Sequence, residues 1–202
     1  MTLSDFYTMS YDFKRGALTA EYVGDSLGNV HQLLRGEVAP PPELFFRQKL
    51  GTQVKDFVGT THATPTLISQ RVVNLLVENT FTGWKIHPVR LYLRVGVVHC
   101  GHFLLVVTGK SGPVNQSKAP VISKPPMVPG GEPYSVTVGL HFDPATWDGH
   151  DMFVPENWGA VIVTKAVRDC LTSAKVTNVH FEKCSELERD LFLRDRLNKG
   201  TN

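Results

Sequence analysis

Four polar side chains in the last third of the chain have the types that acid–base or metal chemistry requires. They are His141, Asp143, His150 and Asp151. A histidine beside carboxylates can transfer protons or bind a metal ion, so this group supports one hypothesis, a small metal-dependent hydrolase. A proline and a glycine interrupt the spacing, however. Such residues are typical of turns in which aspartate accepts hydrogen bonds from the local backbone, and we therefore favour a structural role.

Two other motifs contain reactive residue types but lack what their chemistry needs. Segment 99–102, His-Cys-Gly-His, offers three potential metal ligands, and a metal site would need a further ligand from elsewhere. Gly-Lys-Ser at 109–111 resembles the end of a phosphate-binding loop, but position 104 is leucine where that loop needs glycine, and a proline-rich stretch follows instead of a helix. We therefore predict that the protein is not an enzyme and has no cofactor.

The segment 143–153 combines large apolar groups with acidic ones, a composition typical of protein contact surfaces. Tryptophan anchors interfaces because it buries a large area at a small entropic cost. We therefore predict that a protein partner contacts Asp143, Trp147, Asp148, His150 and Asp151. The proline-rich stretch before this segment is a second candidate. An alternative is that the aromatic side chains of this region pack into the core.

Composition and charge narrow the class of protein. The chain has 202 residues, of which 42% are hydrophobic and 20% charged, enough to form one continuous core. Its 21 basic and 19 acidic side chains are interspersed, so we expect no nucleic-acid partner. Three cysteines without a CxxC spacing indicate neither a disulfide framework nor a zinc site. The first residues and the most apolar stretch lead us to expect no secretory signal and no membrane span, and therefore a cytoplasmic protein.

The elements that must position these residues are predicted from hydrophobic periodicity. Alternating segments predict strands, and apolar residues at helical spacing predict about five helices: 25–36, 43–50, the segments that follow Ser69 and Thr164, and 185–197. The last of these begins with a Ser-x-x-Glu capping box. The predicted fold class is α+β, with mixed, largely antiparallel sheets.

A comparison of the two halves predicts two similar strand–helix–strand units. A shift of 95 residues aligns 67–86 with 162–181 without a gap, although few residues are identical and a true duplication is not established by this similarity. The chain is then one domain, 1–202. It consists of an N-terminal extension (1–55), a first unit (56–110), a proline-rich connector (111–133) and a second unit (134–202).

Two stretches carry a resemblance to a known family. The first runs from Asp56-Phe-Val through Leu67-Ile-Ser and Val72 to Gly83-Trp-Lys-Ile, and the second runs from Asp151-Met-Phe through Val161-Ile-Val-Thr to Val179-His-Phe. Both place an aspartate and a phenylalanine before a strand, a Ser/Thr cap and an amphipathic helix. Over residues 56–192 the chain resembles the Myxococcus-type immunity family of bacterial polymorphic toxin systems. The first 55 residues and the proline-rich connector do not match that pattern.

The resemblance implies an immunity protein in the cytoplasm. Its partner would be a cognate toxin encoded by an adjacent gene, and binding would occlude the toxin's active site or substrate surface. The resemblance supplies no catalytic residues. A non-catalytic structural adaptor built from the two units, and the small hydrolase described above, stay as alternative hypotheses. The toxin's activity and the oligomeric state do not follow from the sequence.

Overall fold

The computed structural model describes residues 2–24, 30–61, 66–94 and 96–190. Three α-helices lie in this described part of the chain: α1 (Val30–Leu34), α2 (Gln70–Glu78) and α3 (Lys165–Ser173). The strands are β1 (Phe6–Tyr11), β2 (Thr19–Tyr22), β3 (Leu44–Leu50), β4 (Phe57–Thr60), β5 (Thr66–Ser69), β6 (Trp84–Tyr92), β7 (Val98–His99), β8 (His102–Val107), β9 (Gly109–Ser111), β10 (Val121–Lys124), β11 (Tyr134–Val138), β12 (Met152–Pro155), β13 (Val161–Thr164), β14 (Val179–Lys183) and β15 (Glu188–Asp190).

The prediction of an α+β fold with about five helices is wrong, because the protein is mostly β and contains a closed six-stranded barrel. Residues 44–50, predicted as a helix, form β3 between β2 and β6. This segment contains two adjacent phenylalanines, and aromatic residues favour strands where neighbouring strands can pair with them. The segment that begins with the capping box at Ser185 does not form a helix within the described residues. It leads into the strand β15 instead. The rest of that predicted helix, and residues 25–29, lie outside them.

The barrel has the strand order β3-β2-β4-β5-β8-β6 and closes where β3 pairs in parallel with β6. Closure removes the free edges that an open sheet would leave. Successive strand residues face opposite sides of a sheet, so every second side chain fills the interior. Fully buried interior residues include Ala20, Phe46, Val58, Leu67 and Leu104.

The second sheet has the strand order β14-β1-β13-β12-β9. The second strand in this order, β1, comes from the first residues of the chain and pairs with β13 and β14 of the second unit. Phe6 on this strand is fully buried in a cluster that also contains Phe142, Phe153 and Ile162. The N-terminal residues therefore contribute directly to the core of the second unit.

The two strand–helix–strand units are present at the predicted offset. β4, β5, α2 and the first residue of β6 lie 95 residues before β12, β13, α3 and the first residue of β14. The helices α2 and α3 pack together, and their apolar faces join one core through Val72, Leu76, Val167 and Leu171. A tertiary structure with two equivalent units therefore underlies the weak similarity between the halves.

The strand that completes the first unit, β8, belongs to that unit, whereas the second unit is completed by β1 from the N-terminal extension. β8 pairs with β5 and β6, and β1 occupies the equivalent place between β13 and β14. The registers agree, since Ser69 faces His102 and the equivalent Thr164 faces Phe6. The pairing of β1 therefore ties the N-terminal extension to the second unit through backbone hydrogen bonds.

Candidate functional site

The side chains of four of the five predicted partner residues form internal hydrogen bonds. Asp143 accepts a bond from the Ala145 amide (3.0 Å), and Asp148 accepts one from the Lys110 amide (2.7 Å). Trp147 donates to the carbonyl of His150 (2.9 Å), and its ring packs against Phe6 at 5.1 Å. These contacts hold the loop against β9 and the core. They agree with the structural role that the turn residues indicated, and the partner contacts at 143–151 stay a prediction.

The remaining polar residues of this region do not converge on one point. Asp151 accepts bonds from the amide and the hydroxyl of Thr82, both at 2.9 Å, and Nδ1 of His150 lies 3.0 Å from Asp148. His141 contributes its backbone carbonyl to Asn115. In the ranges that the structure describes, no group of three or more histidines, cysteines or acids is placed to hold a metal ion.

A reciprocal pair of carboxylates connects the two units, and the sequence patterns did not predict this role. Asp56 of the first unit accepts bonds from the amide (2.9 Å) and hydroxyl (2.8 Å) of Thr177 in the second. Asp151 of the second unit binds Thr82 of the first in the same way. The alignment at an offset of 95 residues contained the signal, because it pairs both the aspartates and the threonines.

The pKa of Asp56 reflects these contacts. Burial by itself would raise the pKa, but bonds from Thr177 and Ser69 and the charge of Arg71 outweigh burial and hold the pKa below its usual value of 3.8. Arg71 lies 2.9 Å from the carboxylate. Asp56 is therefore a charged side chain with a structural role. The hydrogen-bond donors around it already occupy both of its carboxylate oxygens.

A pair of histidines, of which His102 is buried and His99 partly buried, stands where the second sheet has the aromatic residue Phe6. His102, at the position equivalent to Phe6, is 5% exposed. Its Nε2 lies 2.9 Å from the carbonyl of Lys55, and its Nδ1 lies 3.0 Å from Nε2 of His99. Because a carbonyl only accepts, Nε2 of His102 donates and Nδ1 accepts from His99. The pair joins β7 and β8 to the segment before β4.

We expect the free energy of unfolding to fall as the pH is lowered from 7 through 6.5. Burial lowers the pKa of His102 below 6.5, so the unfolded chain takes up this proton before the folded chain does. Urea unfolding at several pH values would measure this loss. His102→Gln should lack this part of the pH dependence, whereas the exposed His180→Gln should keep it. Identical profiles for the His102 variant and the wild type would contradict the assignment.

The clearest exposed apolar surface belongs to the proline-rich connector and the strands next to it. β10 and β11 form an antiparallel hairpin, and β15 completes a three-stranded sheet. Val121 and Ile122 on β10 are 59% and 37% exposed, and Met127 and Val128 in the turn are 73% and 63% exposed. Val121 and Ile122 face opposite sides of the strand, but all four residues lie on one hairpin, and exposed large apolar groups concentrated on one element mark an interaction site. We call these four residues the hairpin surface.

The hairpin also distinguishes the two units from each other. Before the first unit, in the N-terminal extension, the connection from β2 to β3 contains helix α1. Before the second unit, the chain between Val114 and Phe142, which bridge to each other, contains the hairpin instead. The shared parts of the two units build the core, so the element that differs is the place where a specific function is most readily added.

Comparison with known proteins identifies no relative of this chain. Neither the known family models nor the curated proteins include a match to this chain. Among the described residues, no helix combines the length and the apolar character needed to cross a membrane. The hairpin surface is therefore the candidate site on which a functional proposal can be based.

Proposed function

We propose that this chain is an immunity protein that binds a bacterial toxin through the hairpin surface. The observation that carries the proposal is the exposure of Val121, Ile122, Met127 and Val128 on one hairpin. Apolar and methionine side chains of this kind are typical of the anchors that become buried when two proteins bind. The resemblance of residues 56–192 to the Myxococcus-type immunity family supplies the class of partner.

The proposed mechanism is occlusion without catalysis. Met127 and Val128 lie in the turn between β10 and β11, where they can enter a groove of the toxin. The sheet behind them is held by an ion pair of 2.6 Å between Lys124 and Glu188, and by packing of Arg189 on the Trp158 ring at 4.0 Å. A supported hairpin loses little conformational entropy on binding, which favours affinity. The toxin would be the product of an adjacent gene, and the complex would form in the cytoplasm.

Co-expression tests this function directly. The product of the adjacent gene should stop bacterial growth when it is expressed alone, and this chain should restore growth. The purified pair should form a complex that is stable in gel filtration. A non-toxic neighbour, or a toxic one that this chain neither binds nor neutralises, would contradict the proposal.

The double variant Met127→Lys/Val128→Lys should weaken toxin binding by about 100-fold, or about 2.7 kcal/mol, because it removes two apolar anchors and buries two charges. Titration calorimetry would measure the dissociation constant. The matched control is Phe13→Lys/Val77→Lys, which makes the same changes at two exposed apolar residues outside the hairpin. Unchanged affinity in the hairpin variant would place the interface elsewhere.

A further inference from the structure

We propose that His99 and His102 bind one divalent transition-metal ion, Ni²⁺ or Cu²⁺, between Nε2 of His99 and Nδ1 of His102. The two histidines lie on β7 and β8, on different strands from the hairpin surface. The proposed metal site is therefore independent of the proposed function.

A bulge in the backbone brings the two imidazole rings together. β7 and β8 both pair with β6, and residues 100 and 101 interrupt the pairing between them. Residues three positions apart in a regular strand face opposite sides of the sheet. The interruption, with Gly101 at a φ of +98°, changes this alternation and places Nε2 of His99 3.0 Å from Nδ1 of His102. Bulges that redirect a side chain in this way are frequent beside functional sites.

The distance between the two nitrogens fits two neighbouring ligands of one metal ion. Imidazole nitrogens lie about 2.0 to 2.1 Å from a bound ion, so two that meet it at a right angle are about 2.9 Å apart. A right angle is the geometry of tetragonal Ni²⁺ and Cu²⁺, whereas a tetrahedral Zn²⁺ site would separate the nitrogens by about 3.3 Å. The observed 3.0 Å therefore favours nickel or copper, for which imidazole is a suitable ligand.

The hydrogen bond from His102 to Lys55 prepares the ring for a metal ion. Nε2 of His102 donates to the Lys55 carbonyl at 2.9 Å, so the lone pair of Nδ1 points toward His99. Histidines that bind metal ions almost always donate their other ring N–H to a carbonyl or carboxylate. Burial is the largest effect on the pKa of His102 and lowers it, which keeps the ring neutral at pH 7, as a ligand must be. When the ion enters, the proton on Nε2 of His99 moves through solvent to Nδ1 of the same ring, and no net proton is released.

An open cleft gives an ion access to the histidine pair. His99, Cys100 and His102 line this cleft together with Asp56 and Arg71. The Asp56 carboxylate favours a positive charge at His102, and its own oxygens are occupied by hydrogen-bond donors, so it contributes charge and not a ligand. In the described part of the chain, no group of three histidines, cysteines or acids is placed to hold an ion. Water molecules therefore complete the coordination, and the ion binds reversibly.

Titration calorimetry of the full chain with Ni²⁺ alone, from about 1 µM to 1 mM at neutral pH, tests the site. Ni²⁺ is the probe because it does not oxidise the free thiols of this chain. One ion per chain is expected. His99→Gln should lower the affinity by at least about 10-fold, because only one of the two imidazole ligands remains. His180→Gln removes an exposed histidine elsewhere and should bind Ni²⁺ like the wild type.

Two further variants keep the test decisive. His102→Gln retains a donor for the Lys55 carbonyl but has no imidazole nitrogen, and it should also lower the affinity by at least about 10-fold. Cys100→Ser should bind Ni²⁺ like the wild type, which distinguishes imidazole ligands from the exposed thiol between them. Circular dichroism would verify the folding of each variant. A wild-type chain that binds no Ni²⁺ would overturn the proposal, as would binding that neither histidine variant weakens or that Cys100→Ser abolishes. Toxin binding is measured separately, so its failure would leave this result unchanged.

Discussion

Replacing Phe6 by alanine is expected to lower the free energy of unfolding by about 4 kcal/mol, near the middle of the range for a buried phenylalanine. The Phe6 side chain has no exposed surface. Its ring makes edge-to-face contacts with Phe142, Trp147 and Phe153 at centroid distances of 5.3, 5.1 and 5.5 Å. Truncation would leave a cavity among three aromatic rings that are fixed by β12 and the loop before it.

Urea denaturation followed by tryptophan fluorescence would measure this loss. Phe13→Ala is the matched control, because Phe13 lies just beyond the same strand and is 78% exposed. The control should change the free energy of unfolding by less than about 0.5 kcal/mol. A Phe6 variant within about 1 kcal/mol of the wild type would mean that β1 is not part of the second core.

Asp56→Ala is expected to lower the free energy of unfolding by about 3 kcal/mol. The side chain is 12% exposed and lies within 2.9 Å of donor groups on Thr177, Ser69 and Arg71. Its removal leaves the amide of Thr177 without its acceptor and the guanidinium of Arg71 without its counter-ion. Because Thr177 belongs to the second unit, the loss also weakens the connection between the units.

The pH dependence of this loss in unfolding free energy distinguishes a charged contact at Asp56 from a simple packing defect. The pKa of Asp56 is lowered in the folded protein, so its contribution is present above 3.8 and is lost as the pH falls through the folded value. The difference in unfolding free energy between the wild type and Asp56→Ala should therefore shrink in acid. Asp12→Ala, at an exposed ion pair with Lys14, is the control and should have little effect at any pH. If the difference stayed constant down to pH 2, the ionised Asp56 carboxylate would not be the source of the stabilisation.

Local patterns in the sequence were sufficient to predict the two strand–helix–strand units. Ser69 and Thr164 precede helices whose apolar residues recur at helical spacing, as with Val72 and Leu76. These signals depend on neighbours within one or two helical turns, so they can be recognised in the sequence without knowledge of the fold. The equivalence of the two units followed from repeating the same local pattern.

Long-range pairing was decided only in the tertiary structure. Residues 44–50 form a strand because β2 and β6 supply hydrogen-bond partners on either side. This strand is one reason why the protein is mostly β. The prediction of partner contacts at Asp143 and Trp147 rested on residue types. The alternative from the same residues, that Asp143 accepts a local amide and Trp147 packs in the core, agrees with the structure, and the partner contact stays a prediction.

The sequence by itself determined the local elements of the two units and their separation of 95 residues. The tertiary structure decided that β1 of the N-terminal extension completes the second unit, and that the connector forms a hairpin with exposed apolar side chains. The physical reason is that periodicity records which side of an element is apolar. The partner that covers that side is set by contacts between residues far apart in the chain.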